Sequence, residues 1–274
     1  MKLRHSYDVR VAKSNDGERS YCMKKIVVIA SAVVIVALII TFSSFFKKEA
    51  EQQENLLVVG TNPNFPPFEY KEDGELVGFD IDLMHAIGDY LGKKIVFKEM
   101  PFDALLIEAE TGRINLIASG MTPTAERSKK LFFTEPYVGD DPLVVITLAS
   151  AKPQTLKDLH GKEVIVNDGY TAESYMKQQS GINLIGLATP AESFLAILNG
   201  RAYAYVSARS AVQPFFDRYG EGKFNILTLD VSDRYALAVP KAYPEVFEEI
   251  KGALDALTKN GILRQLKQQW HLDF

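Results

Sequence analysis

Ser119-Gly120-Met121-Thr122-Pro123-Thr124-Ala125-Glu126-Arg127 follows the apolar run Leu116-Ile117-Ala118. The run reads as a strand, and Ser119-Gly120 breaks it. Thr122 before Pro123 reads as an N-cap with proline at the first helical position. The segment therefore predicts a strand–turn–helix joint. A helix start offers unpaired backbone N–H groups and a partial positive charge. Arg127 lies five residues past the cap, and its planar guanidinium can place two parallel hydrogen bonds on a carboxylate. The stretch is expected to hold a small carboxylate. The competing reading is an ordinary strand–helix joint with a surface arginine.

Outward from this joint, strands and helices alternate. Residues 56–60, 95–97, 114–118, 143–148, 164–166, 203–206 and 235–239 read as strands. Residues 79–91, 102–109, 171–179, 193–198, 244–257 and 261–270 read as helices. The first helix is the clearest: Phe79, Leu83, Ile87 and Leu91 recur at helical spacing, with Asp80 and Asp82 in the first turn. Such alternation predicts α/β units with parallel strands.

The 274 residues have the composition of a globular protein except at 26–46, which is 21 residues without a charge. About 20 apolar residues span a bilayer. The run ends in Phe42-Ser43-Ser44-Phe45-Phe46, a poor cleavage site, so it reads as an uncleaved anchor; the alternative is a removed signal. Residues 1–48 hold nine basic and three acidic residues, net +6, and the remaining 22 basic and 32 acidic residues make −10. The positive-inside rule then puts the N-terminus in the cytoplasm and the acidic bulk outside. Acidity there argues against nucleic acid as a partner. Residues 1–25 read as a cytoplasmic tail or as a misassigned start ahead of Met23, and 47–54 as a linker. The one cysteine, Cys22, precedes the apolar run, so the exported part has no disulfide or thiol chemistry. His5, His85, His160 and His271 lack metal-ligand spacing. Neither a metal nor a cofactor is expected.

From about residue 56 onward, motifs in fixed order resemble the family 3 bacterial solute-binding proteins, the polar amino-acid receptors of ABC importers. They are 61–69 (Thr-Asn-Pro-Asn-Phe-Pro-Pro-Phe-Glu), 78–83 (Gly-Phe-Asp-Ile-Asp-Leu), 111–117 (Thr-Gly-Arg-Ile-Asn-Leu-Ile), and 260–270, from Asn260-Gly261 to Trp270. The resemblance implies an α/β, two-lobe periplasmic-binding-protein-like (type II) fold with a double hinge crossover. Lobe 1 is expected at 55–140 plus 236–274 and lobe 2 at 141–235, with the ligand in the cleft between them.

It also implies a site. Ser119, Thr122 and Arg127 match the residues that hold the ligand carboxylate, with Gly120 and Met121 adding backbone contacts. Phe65 and Phe102 match the pocket's aromatic or apolar walls, and Asn62 the position that reads the ligand side chain. Thr171 matches a second carboxylate clamp, and Tyr170 is placed to close over the ligand. Phe68 and Glu69 are expected to hold the loop in place rather than touch ligand. Ala208 departs from the pattern: relatives carry Asp or Glu there to pair with the ligand ammonium. Either a neighbour such as Asp168 replaces that acid, or the ligand is not a conventional α-amino acid. The expected protein is a monomeric, membrane-tethered extracytoplasmic receptor. It would close on a polar amino acid or related carboxylate and deliver it to an ABC permease. The enzymatic alternative is a dehydratase of cyclic acids on the same fold, with Glu173 as its acid.

Overall fold

The computed structural model describes residues 55–272, together with Met23 and Phe42. The expected tail, membrane segment and linker fall outside the described residues but for those two. Among the described residues, no helix is long and apolar enough to cross a membrane.

Two five-stranded sheets organise the chain. The first has the order β5-β1-β6-β13-β7. Strand β1 (Leu56–Thr61) lies between β5 (Lys94–Glu99) and β6 (Leu116–Ile117) and runs parallel to both. The returning strand β13 (Ala238–Pro240) runs antiparallel to β6 and to β7 (Leu131–Phe133). Helix α1 (Phe79–Leu91) turns Phe79, Leu83 and Ile87 into the core, as the spacing predicts. It packs against α6 (Pro244–Lys259) and α7 (Ile262–Gln269). Helix α2 (Phe102–Glu110) packs against β1 and β6 in a separate apolar cluster. A small antiparallel sheet of β2 (Asn64–Phe65), β3 (Glu69–Glu72) and β4 (Glu75–Val77) leads into α1.

The second sheet has the order β10-β9-β11-β8-β12. Strands β9 (Glu163–Asn167), β10 (Asn183–Leu187) and β11 (Ala204–Ala208) are parallel. The long strands β8 (Val138–Leu148) and β12 (Phe224–Tyr235) pair antiparallel along most of their length. Helices α3 (Thr171–Met176), α4 (Pro190–Leu198) and α5 (Arg209–Tyr219) cover this sheet. The chain leaves the first sheet at 134–137 and returns at 236–237, so β8 and β12 form a two-stranded ribbon at the crossing.

The expected parallel pairs are present, and the ribbon and β13 run against their neighbours, so both sheets are mixed. Two expectations need correction. The apolar run 235–239 is not one strand: the chain breaks at 236–237 to pass between sheets. No α-helix follows Thr122-Pro123. Residues 121–124 are irregular, and one 3-10 turn, Arg127–Lys129, is all that forms before β7. The Thr124 hydroxyl accepts from the Arg127 N–H at 3.2 Å where that turn begins.

Helix α1 starts without a side-chain cap at Gly78. Its first N–H groups donate instead to backbone: Phe79 to the Pro67 carbonyl at 3.0 Å and Asp80 to Phe68 at 2.9 Å. That approach needs glycine at 78. Its φ is +134°, and a Cβ would lie 2.1 Å from the Phe68 oxygen. Gly78→Ala is expected to lower unfolding free energy by about 2–4 kcal/mol, since strain and a backbone clash coincide. Urea unfolding followed by circular dichroism would measure it.

Candidate functional site

The crossing strands bring residues of both sheets around one narrow pocket. It is lined by Phe65, Phe102, Ser119, Gly120, Thr122, Arg127, Tyr170, Thr171, Ala208, Asp233 and Tyr235. Eight of these were expected from sequence. Asn62 and Met121 were expected as well but stand outside its walls. Asn62 is buried; its backbone N–H donates to the Ser119 hydroxyl at 3.0 Å and its side-chain oxygen accepts from the Asn64 side-chain amide at 2.9 Å. Met121 lines the neighbouring groove.

Arg127 reaches across the cleft. One guanidinium N–H donates to the Thr122 carbonyl at 2.7 Å, and another to the Gly169 carbonyl of the opposite lobe at 2.9 Å. Its carbon lies 5.4 Å from the Phe102 ring centre, in cation–π range. Arginine has five N–H donors, so three remain. Desolvation lowers its pKa, and the carboxylates of Asp233 and Glu126 oppose that shift. Arginine stays charged through such changes.

The two threonines meet at one carboxylate. Neither caps a helix. The Thr122 hydroxyl donates to Asp233 Oδ1 and the Thr171 hydroxyl to Asp233 Oδ2, both at 2.8 Å. Asp233 is buried near the end of β12 and joins one threonine from each lobe. Burial raises its pKa; the two hydroxyls and Arg127 pull it back down. Sequence reasoning missed this residue. Its only signal is an acid two places before a buried tyrosine, in a strand that alternation alone does not reveal. Asp168, the suspected substitute for the acid missing at 208, does not line the pocket: its carboxylate lies over Gly186.

Aromatic rings form the remaining walls. Tyr170 sits 4.4 Å from Phe102 and 6.3 Å from Phe65, and Tyr235 sits 5.7 Å from Phe65. Phe65 can lie this close only because residue 120 is glycine: a Cβ there would be 2.6 Å from the ring. The floor is polar and buried. Ser119 donates to Glu69 at 2.8 Å, so its hydroxyl proton is held within the protein. Asp80 Oδ2 accepts from the Gly120 N–H at 2.9 Å and the Tyr137 hydroxyl at 2.8 Å. Behind the hinge, Asp141 accepts from the Tyr235 hydroxyl at 2.5 Å and from Ser210, supplying the carboxylate that Ala208 cannot give to the start of α5. Glu173 is engaged by the Gly169 N–H at 3.0 Å and by Lys177 at 2.7 Å. Among the described residues, no cluster of His, Cys, Asp or Glu is arranged to hold a metal ion.

Two α/β lobes on a paired-strand hinge, with a small charged and aromatic pocket between them, define a bilobal ligand-binding protein. The chain belongs to the bacterial extracellular solute-binding proteins, family 3, whose model matches residues 57–273. It is 28% identical over 223 residues to a probable ABC transporter arginine-binding protein of Chlamydia trachomatis, covering 79% of this chain and 86% of that one. An ancestral arginine-binding protein bound to arginine superposes with a TM-score of 0.74 at 32% identity, covering 79% of this chain and 98% of the other. An ancestral arginine-binding protein bound to glutamine gives 0.73 at 33%, covering 79% and 97%.

Burial lifts the Asp80 pKa to about 7, against the two hydrogen bonds that lower it. An unfolded Asp titrates near about 3.9. The folded state therefore binds this proton more tightly, and the group's contribution favours folding most at low pH. It is lost as pH rises from about 4 to about 7, on the order of a few kcal/mol in all. Asp80→Asn removes the titration. Chemical unfolding of both proteins at about pH 5 and about pH 8 should show the variant gaining on wild type as pH rises.

Proposed function

We propose that the protein is the extracytoplasmic solute-binding receptor of an ABC importer. Its lobes close on a small polar amino acid or related carboxylate, and it presents that closed form to a permease as a monomer, leaving the ligand unchanged. The observation that carries this reading is Arg127. It is rooted in one lobe, bonded to the other, and keeps three N–H donors at the pocket between them. A carboxylate held by Arg127 from one lobe would gain further bonds from the other lobe on closure, and that difference is what shifts an open–closed equilibrium. Aromatic walls suit flat amide or guanidinium groups and alkyl chains. The relatives that bind arginine or glutamine support the same ligand class.

A receptor is favoured over a dehydratase because Glu173, the nominated acid, is tied to Gly169 and Lys177 and lines the neighbouring groove rather than this pocket. Residues 26–46 would tether the receptor to the membrane, with the acidic lobes outside.

Arg127→Ala should weaken binding of L-arginine or L-glutamine by about 30- to 4000-fold, the range for losing a buried charge-assisted pair. Arg127→Lys should recover little, because an ammonium cannot form the two parallel bonds. Isothermal titration would decide, and near-wild-type affinity in the alanine variant would overturn the assignment.

Anchoring is tested on the native protein. It should sediment with membranes and resist alkaline carbonate extraction, and its peptides should include part of 26–46. A mature N-terminus mapped between about 43 and 55 would mean a cleaved signal instead.

A further inference from the structure

Only two of the residues lining the pocket carry charge in their side chains, and the charges are opposite: Arg127 and Asp233. They do not neutralise each other directly. Arg127 spends its described bonds on two carbonyls, and Asp233 accepts only from the hydroxyls of Thr122 and Thr171. A buried carboxylate is retained at a cost unless it meets partners of opposite charge. Two hydroxyl donors satisfy half of its roughly four acceptor sites. A cationic group beside it would fill the rest. Ala208, on the wall, offers a methyl and no competing charge.

Resting on the reading of this pocket as a carboxylate site, we propose that Asp233 is the partner of a ligand ammonium group. The pocket is then complementary to a zwitterion, with carboxylate on Arg127 and ammonium on Asp233. The specificity acid stands on the hinge ribbon, not at the end of β11 where Ala208 lies. Because Asp233 already holds one threonine from each lobe, an ammonium bound to it is recognised in the closed arrangement, where both threonines are in place. The ligand class is narrowed accordingly to α-amino acids, and simple carboxylates are excluded by the unmatched acid.

The test is isothermal titration of wild type, Asp233→Asn and Asp233→Ser with L-arginine, L-glutamine and L-histidine, and with two deaminated analogues, 5-guanidinopentanoate and glutaramate. Both neutral replacements can still bond the threonine hydroxyls, so a fold defect in one leaves the other, and unliganded melting temperatures verify each. Wild type should prefer an amino acid over its deaminated analogue by about 100-fold, a typical return for a buried charged contact. Each variant should lose about 30-fold or more for the amino acid while binding the analogue as well as or better than wild type does. Wild type that binds amino acids, with variants that keep the same preference over the analogues, overturns the role of Asp233 and leaves the carboxylate site standing. Wild type that binds the deaminated acids at least as tightly as the amino acids overturns it too. Wild type that binds none of the five overturns the carboxylate reading and the inference with it.

Discussion

A single buried carboxylate stands where the two lobes meet. Asp233 takes a hydroxyl from Thr122 on one side and from Thr171 on the other, each at 2.8 Å. With the Arg127–Gly169 bond it forms a polar bridge across the cleft. The hinge ribbon that carries it pairs Asp233 opposite Asp141. The neighbouring Asp141 raises the pKa of Asp233, and is itself held by Tyr235 and Ser210. The position of the bridge therefore follows from the ribbon, and the ribbon from the two crossings of the chain.

The rest of the site is built to hold that bridge and Arg127 in place. Gly120 lets Phe65 approach, and its N–H is fixed by Asp80, which also takes the Tyr137 hydroxyl. Ser119 is locked between Asn62 and Glu69. These residues look like ligand contacts in a linear motif, but much of their hydrogen-bonding capacity is turned inward. A pocket walled by rings and supported by buried carboxylates is stiff, and stiffness keeps the arginine donors oriented before a ligand arrives.

Among charged groups, burial separates those that matter from those that decorate. Lys71–Glu99 and Lys130–Glu110 are exposed pairs on the surface of the first lobe, and such pairs contribute little to stability. Glu69, Asp80 and Asp233 are buried, and burial raises the pKa of all three. Glu69 and Asp80 each keep one oxygen without a protein partner.

Local pattern alone fixed α1, because four apolar residues at helical spacing bury one face whatever they pack against. It located α2, α6 and α7 and most parallel strands for the same reason, and the arginine motif came with its chemistry attached. Ordered motifs carried the family and the two-lobed architecture. What pattern misread were places where the tertiary structure reassigns a local signal. Thr122-Pro123 has the form of a helix start, but its hydroxyl is drawn to Asp233, 111 residues away, and the chain turns into β7 instead. Residues 235–239 have the form of one strand, but the chain changes sheets within them. Asp233 itself was invisible, since a lone acid in a strand means a solvated edge far more often than a buried bridge. Only the crossing of β8 and β12 put it between the lobes, because long-range pairing, not neighbouring residues, decides which polar group is taken out of water.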